Sequence, residues 1–190
     1  MSAINNALKE LRYFFSMLEE TKLKPNEFKS NLNAFISRGR SITWVIKKQY
    51  SNQPKFLVWY QEIEQRLRED ELMRFFVNAR NVSEKEQPLD PAHRTKFFNL
   101  SVAPKEKDFA ITSEGEAVWI QKVPDQREKI SHASEFDHLT IKEYYFVNPQ
   151  PPKRYSNLQV IDLCKIYLDE LSRICADADS LFAETKKFPR

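Results

Sequence analysis

The chain has 190 residues and a net charge of +3, and its composition is 41% hydrophobic and 30% charged. This length favours one domain of ordinary size, and the composition excludes an intrinsically disordered chain. The small net charge is no argument for nucleic acid by itself, and 2 glycines exclude a glycine-rich phosphate loop.

Two helices are predicted in the N-terminal part of the chain. Apolar residues at helical spacing predict the first over residues 3–22, with Ser2 as its cap. Pro25 ends that pattern, because the residue before a proline avoids the helical region. Asn26 is then predicted to cap a second helix of about residues 27–50.

The second predicted helix carries one glycine and one polar stripe. Gly39 costs about 1 kcal/mol against alanine in mid-helix and therefore predicts the close approach of a neighbouring helix. The polar stripe is either a solvated face or a surface that meets a partner or ligand. Its members are Asn33, Ser37, Arg40, Ser41 and Trp44.

A third helix is predicted to begin near Lys55 and to kink or restart at Asp70, which can cap a fresh turn. Residues 71–82 then carry an apolar stripe at helical spacing, formed by Leu72, Phe75, Phe76, Ala79 and Val82. The Arg80–Asn81 pair lies off this stripe, at the end of the helix. The stripe predicts a core helix, and it is one reason to expect a homodimer along the third and last helices.

After Val82 the hydrophobic period changes from 3.6 to 2. Residues 83–91 are polar with two prolines and predict a loop. Alternation in residues 98–102, 109–111, 117–121 and 139–147 predicts three or four antiparallel strands in a small meander. Residues 113–115 read as a hairpin turn, and residues 124–138 as a polar connection.

A proline-rich linker, residues 148–152, leads to a last amphipathic helix of about residues 157–185. The predicted fold class is mainly α (α+β): an antiparallel bundle of four or more helices with a small antiparallel β-sheet inserted before the last helix. We assign residues 1–88 and 153–190 to the bundle. Residues 89–152 form the β insert, which packs on the bundle within one structural unit.

Two cysteines, Cys164 and Cys175, lie on the last predicted helix, about 16 Å apart, so they cannot pair while it is intact. We interpret them as core residues, and their pattern indicates a reducing compartment. The first nine residues lack a signal-peptide core, and no apolar run approaches the roughly 20 residues of a membrane span. We therefore expect a cytoplasmic protein with no membrane association.

Histidines offer no metal site in the sequence. His93 is predicted in the loop after the third helix, and His132 and His138 in the polar connection between strands. None of them shares a helix face with another ligand, so we expect no metal and no cofactor.

Cationic and aromatic side chains suggest two possible ligand surfaces. Arg38, Arg40, Arg74 and Arg80 could converge on a phosphate if the second and third helices pack side by side, or each could pair with a local carboxylate. In the sheet, Trp119, Tyr144 and Phe146 mix with Lys122 and Lys142. These aromatic rings could stack on bases, although we favour their packing on the bundle.

The Arg80–Asn81 pair, at the end of a core helix in a bundle, resembles the HEPN superfamily (higher eukaryotes and prokaryotes nucleotide-binding). Its active members look like RNases with an arginine, a neighbouring polar residue, a short spacer and a histidine, and Lys85 stands where the histidine would fall. The resemblance implies a homodimer in which the two motifs face each other, and it suggests a place in a bacterial defence or toxin–antitoxin system. An unperturbed lysine pKa near 10.4 is poorly matched to acid–base chemistry at neutral pH.

The resemblance therefore predicts a protein that binds RNA or a nucleotide without cleaving it. The predicted phosphate-binding residues are Arg40, Arg74, Arg80 and Lys85. The alternative is a structural or protein-interaction module whose β insert carries the partner site, with Arg80–Asn81 as a hydrogen-bonding device at a helix end. The third choice is a metal-independent endoribonuclease, for which Arg80, Asn81 and Lys85 are the catalytic candidates.

Overall fold

The computed structural model of the protein describes residues 2–97, 107–111, 117–122, 128–132 and 140–183. Within these residues the chain forms five α-helices and five β-strands, with a 3-10 turn at Lys153–Tyr155. The helices are α1 (Ala3–Glu20), α2 (Pro25–Tyr50), α3 (Pro54–Glu69), α4 (Glu71–Lys85) and α5 (Val160–Phe182). The strands are β1 (Ala92–Phe97), β2 (Lys107–Ile111), β3 (Ala117–Lys122), β4 (Glu128–His132) and β5 (Thr140–Tyr145). The predicted fold class, a helical bundle with antiparallel strands before its last helix, is confirmed.

The first residues of α1 and α2 are set by the cap and the proline that precede or begin each helix. The Ser2 hydroxyl caps α1 by accepting a hydrogen bond from the Asn5 backbone N–H at 3.1 Å. The prediction of Asn26 as the cap of α2 is wrong: Lys24 is the cap and Pro25 is the first helical residue. Proline suits that position because its fixed φ is helical and its missing N–H would have no partner there.

Asp70 separates α3 from α4 and caps the second of them, so the third predicted helix restarts at this residue. One of its carboxylate oxygens accepts the backbone N–H groups of Leu72 and Met73, at 2.8 and 3.0 Å. Because the backbone at Asp70 is extended rather than helical, α3 ends before this residue and α4 begins after it as a separate helix.

Asp70→Ala is expected to lower the free energy of unfolding by about 0.5–2 kcal/mol, because it leaves two N–H groups of α4 without their acceptor. Asp70→Asn keeps an acceptor oxygen and serves as the matched control, with an expected change of a few tenths of a kcal/mol. Urea unfolding measures both values. Equal losses in the two variants would contradict the capping role.

One core is shared by all five helices and by β5. The Tyr144 ring stacks on Phe28 of α2 at 3.7 Å, and its hydroxyl donates to the Lys22 carbonyl at 2.9 Å. The Phe146 ring meets Phe75 of α4 edge to face at 5.0 Å, and Lys142 Nζ donates to the Leu23 carbonyl at 3.2 Å. Tyr144 and Phe146 therefore pack on the bundle, as predicted, and Lys142 also contacts it. The side chains of Trp119 and Lys122 lie outside the described ones.

Among the described residues, five strands form two antiparallel sheets rather than one meander of three or four strands. β1 pairs with β5, from Ala92 opposite Tyr145 to Phe97 opposite Thr140, while β2, β3 and β4 form a meander of their own. The predicted polar connection was wrong in part, because residues 128–132 are β4. The strand predicted at residues 98–102 and the turn at residues 113–115 lie outside the described residues.

Candidate anion-binding cleft

A cleft of about 420 Å³ opens between α2, α3, α4 and α5. Its charged lining residues are Arg40 of α2, Glu64 and Arg68 of α3, and Arg74 of α4. The remaining lining residues are hydroxyl-bearing or apolar: Thr43, Tyr60, Leu67, Met73, Val77, Tyr167 and Leu171. The described lining thus combines three guanidinium groups with one carboxylate.

Two of these arginines have no carboxylate partner among the described residues. Within the described part of the chain neither Arg40 nor Arg74 forms an ion pair. Arg40 is half-buried, and its Nη1 donates to the Thr43 hydroxyl at 2.9 Å, whereas Arg74 is exposed. The third arginine, Arg68, forms an ion pair with Glu64, with 3.4 Å between Arg68 Nη2 and Glu64 Oε1. A guanidinium is always charged and presents donors in a planar fork, so the two unpaired groups suit phosphate or carboxylate.

Two tyrosines line the inner part of the cleft. Burial raises the pKa of Tyr60, Glu64 raises it further and Arg40 lowers it. Burial also raises the pKa of Tyr167, and Arg40 again opposes the effect. Arg40 is therefore close enough to act on both phenols, and both stay protonated at neutral pH.

The two hydroxyl groups differ in their partners. Tyr60 donates to the Thr43 carbonyl at 3.3 Å. Tyr167 is only 5% exposed and lines the cleft, yet its hydroxyl makes no hydrogen bond within the described residues. Its ring is stacked on Phe76 at 4.1 Å and meets Phe35 edge to face. Packing thus fixes the ring while the hydroxyl remains available to a ligand.

Sequence features of three helices bring these groups together. Gly39 lets α5 approach α2, because a Cβ atom at this position would lie 2.4 Å from Cε1 of Tyr167. This confirms the close approach predicted for Gly39. On α4, Arg74 and Val77 are three residues apart and therefore share a face of the helix.

The Arg80–Asn81 pair lies away from the cleft. Arg80 forms an ion pair with Glu84 one turn later and donates to the Asn81 side-chain oxygen at 3.4 Å. Glu84 also accepts a hydrogen bond from the Ser37 hydroxyl at 3.1 Å. Lys85 is exposed in the last turn of α4. Of the four predicted phosphate-binding residues, the structure brings only Arg40 and Arg74 into the cleft, and Arg38 pairs instead with Glu10.

The polar stripe of α2 has a structural role that the sequence did not reveal. The Asn33 side-chain oxygen accepts from the Leu89 N–H at 2.9 Å and from the Ser83 hydroxyl, and its nitrogen donates to the Leu89 carbonyl at 3.2 Å. Together with the Ser37–Glu84 bond, these contacts tie α2 to the end of α4. Asn33 is therefore an internal contact, whereas Ser37 makes its contact with Glu84 at the exposed surface.

The apolar stripe of α4 faces the core of its own chain. Leu72, Phe75, Phe76, Ala79 and Val82 are all buried. The stripe is consequently not available to a second copy, and it gives no support to the predicted homodimer.

Histidines do not build a site in the described residues. His93 lies on β1, not in the predicted loop, and its ring is 5.7 Å from that of Tyr144, while His132 lies on β4 and not in a connection. His138 falls outside the described residues. Across the ranges that the structure describes, no group of three His, Cys, Asp or Glu side chains could hold a metal ion. None of the helices described in these ranges is long and apolar enough to cross a membrane.

The sequence did not indicate Tyr60 and Tyr167 as site residues, because both fall on apolar helical faces. The available signal is the phenolic hydroxyl, since a buried tyrosine usually finds a hydrogen-bond partner. Which of the two hydroxyl groups lacks a partner depends on the packing of helices distant in sequence.

Comparisons with known proteins identify a family. Residues 1–149 match the family described as bacteriophage lambda protein ea47. A stretch of 109 residues is 29% identical to protein ea47 of Escherichia phage lambda and covers 56% of the chain. The match spans 27% of that relative's length. No solved structure matches the chain. The identification with the HEPN superfamily is therefore wrong: both matches are to the ea47 protein, and the Arg80–Asn81 pair on which it rested is an internal contact of α4.

Proposed function

We propose, for a chain that belongs to the family of bacteriophage lambda protein ea47, that the cleft binds the phosphate of an RNA or a nucleotide without cleaving it. One observation carries the proposal: Arg40 and Arg74 line the same cleft, and neither has a carboxylate partner within the described residues. A phosphate between them would form charge-assisted hydrogen bonds, each worth about 1.5–3 kcal/mol.

The chemistry of the lining favours binding over cleavage. The guanidinium groups and the protonated phenols are donors, and Glu64, the one carboxylate described in the lining, is engaged by Arg68. Acid–base cleavage needs a base with a pKa near the working pH, held within hydrogen-bond reach of the reacting proton. No histidine or cysteine is found among the residues described around this cleft.

A double substitution tests the site. Arg40→Gln with Arg74→Gln is expected to weaken binding of the phosphate ligand at least tenfold, whether the probe is a nucleoside monophosphate or a random single-stranded RNA pool. If the probe is RNA, the double substitution should also flatten the salt dependence of binding by about 0.7 per lost phosphate contact. Fluorescence anisotropy over a series of salt concentrations measures both quantities. Lys9→Gln with Lys165→Gln is the matched control, because both lysines are exposed, lie outside the cleft and remove the same charge.

The same titration decides between the cleft and the end of α4. If Arg80→Ala with Lys85→Ala abolishes binding while the cleft variant does not, the phosphate site lies at Arg80 and Lys85. Wild-type protein that binds no RNA and no nucleotide at low salt would end the proposal.

A second candidate function is a protein-interaction module with no nucleic-acid role, acting through the β insert. The Ser37–Glu84–Arg80 contacts favour it, because they give Arg80 a purely structural role at the helix end. The homodimer and a place in a bacterial defence or toxin–antitoxin system also stay proposals. Light scattering at micromolar protein concentration tests the dimer.

A further inference from the structure

Building on the proposed phosphate site, we propose that the cleft binds a single nucleotide. The base accepts a hydrogen bond from the Tyr167 hydroxyl, and the phosphate binds Arg40 and Arg74. The ligand is then one nucleoside phosphate rather than a tract of RNA.

Cleft size is the first argument. A volume of about 420 Å³ lies within the roughly 300–1,000 Å³ of small-molecule sites. Proteins that bind single strands use grooves that follow about 4–16 nucleotides. The cleft is a pocket among four helices, so it matches one nucleotide and not a strand.

The distribution of polarity along the cleft is the second argument. Exposed Arg74 and Arg68 lie toward solvent, and the buried side chains of Met73, Leu171 and Tyr167 lie toward the core. A fitting ligand is anionic at one end, has apolar faces in its middle and carries a hydrogen-bonding group at its far end. A nucleotide has this order of phosphate, sugar and base, and its base offers flat faces with a polar edge.

Tyr167 supplies the third argument. The residue is only 5% exposed and lines the cleft, and its hydroxyl has no hydrogen-bond partner in the described part of the chain. This hydroxyl is not one of the fully buried polar atoms that lack a partner, so it is accessible, and a ligand in the cleft can accept its hydrogen bond. Tyr60 cannot donate in the same way, because its hydroxyl already donates to the Thr43 carbonyl.

Three probes separate the base from the phosphate. Inorganic phosphate carries the anion alone, octyl phosphate adds an apolar body without a polar edge, and the four nucleoside 5′-monophosphates add the base. Titration calorimetry on the full chain is expected to give at least one monophosphate about tenfold tighter than octyl phosphate. Tyr167→Phe should remove most of that preference and leave phosphate and octyl phosphate unchanged, whereas Arg40→Gln should weaken all three classes.

Tyr144→Phe is the matched control, because its hydroxyl bonds to the Lys22 carbonyl and its side chain lies outside the cleft. It should change none of the affinities. Tyr167→Phe should also keep the thermal midpoint of the wild type, since the hydroxyl that it removes has no partner in the described chain.

Two results would overturn the nucleotide assignment. Octyl phosphate that binds as tightly as every monophosphate, or a preference that Tyr167→Phe leaves intact, would reject the role of the base while phosphate binding itself stands. If no probe binds the wild type, the phosphate site fails as well, and the nucleotide fails with it.

Discussion

Replacing Phe76 by alanine is expected to lower the free energy of unfolding by about 3–5 kcal/mol. The side chain is 1% exposed, it stacks on Tyr167 at 4.1 Å, and it meets Phe75 edge to face at 5.3 Å. Alanine removes the buried apolar area and leaves a cavity between α4 and α5. Such a cavity cannot close without moving the aromatic rings around it.

Chemical denaturation of the Phe76→Ala variant measures this loss. Val58→Ala on α3 is the control, because Val58 is 62% exposed and its truncation is expected to stay within about 0.5 kcal/mol. A loss below about 1 kcal/mol for Phe76→Ala would mean that α4 and α5 do not pack as described. The same variant should also reduce nucleotide affinity, because Phe76 holds the Tyr167 ring in place.

Replacing Gly39 by valine is expected to cost about 3 kcal/mol. A Cβ at this position would lie 2.4 Å from Cε1 of Tyr167 and 3.2 Å from its hydroxyl oxygen, so α2 and α5 must separate or the ring must move. The ring has little freedom, because Phe76 stacks on it. Overpacking of a core costs about 1–3 kcal/mol, and the two γ-methyl groups of valine add to the overlap.

Gly39→Ala gives a smaller expected loss, because the better helix propensity of alanine returns about 1 kcal/mol. A double-mutant cycle with Tyr167→Leu isolates the clash. If the ring is the obstacle, Gly39→Ala should cost less in the Tyr167→Leu background than in the wild type. Equal costs in the two backgrounds would show that Gly39 is needed for another reason.

The contact of Tyr167 with Gly39 and Phe76 lies in the core and also forms one side of the cleft. Gly39 admits α5, Phe76 orients the Tyr167 ring, and Arg40 follows Gly39 by one residue on α2. The packing that makes the protein stable here also sets the position of the free hydroxyl relative to the guanidinium. Changes at Gly39 and Phe76 should therefore act on binding without touching the ligand.

Local chemistry in the sequence determined the elements of this protein. Ser2 and Asp70 cap their helices because a side-chain oxygen satisfies N–H groups two or three residues later. The change in hydrophobic period placed strands before the last helix, since side chains alternate in a strand and repeat every 3.6 residues in a helix. Gly39 indicated a close approach, although the sequence could not name Tyr167 as the other side of it.

Tertiary structure alone decided the partner of each group. The stripe of Leu72 and Phe76 predicts burial equally well against another helix of the chain or against a second copy, and it is the chain's own core that covers it. Arg80 finds Glu84 one turn away, while Arg40 and Arg74, on different helices, meet across the cleft.

The sequence identifies each cationic residue, but the carboxylate with which that residue pairs depends on the angle and register at which two helices pack. That register comes from the fit of side chains far apart in the chain. The short Arg80–Asn81 pair therefore indicated the wrong family. The sequence allowed several arrangements of the arginines. Only the packing of α2, α3, α4 and α5 showed that Arg40 and Arg74 converge.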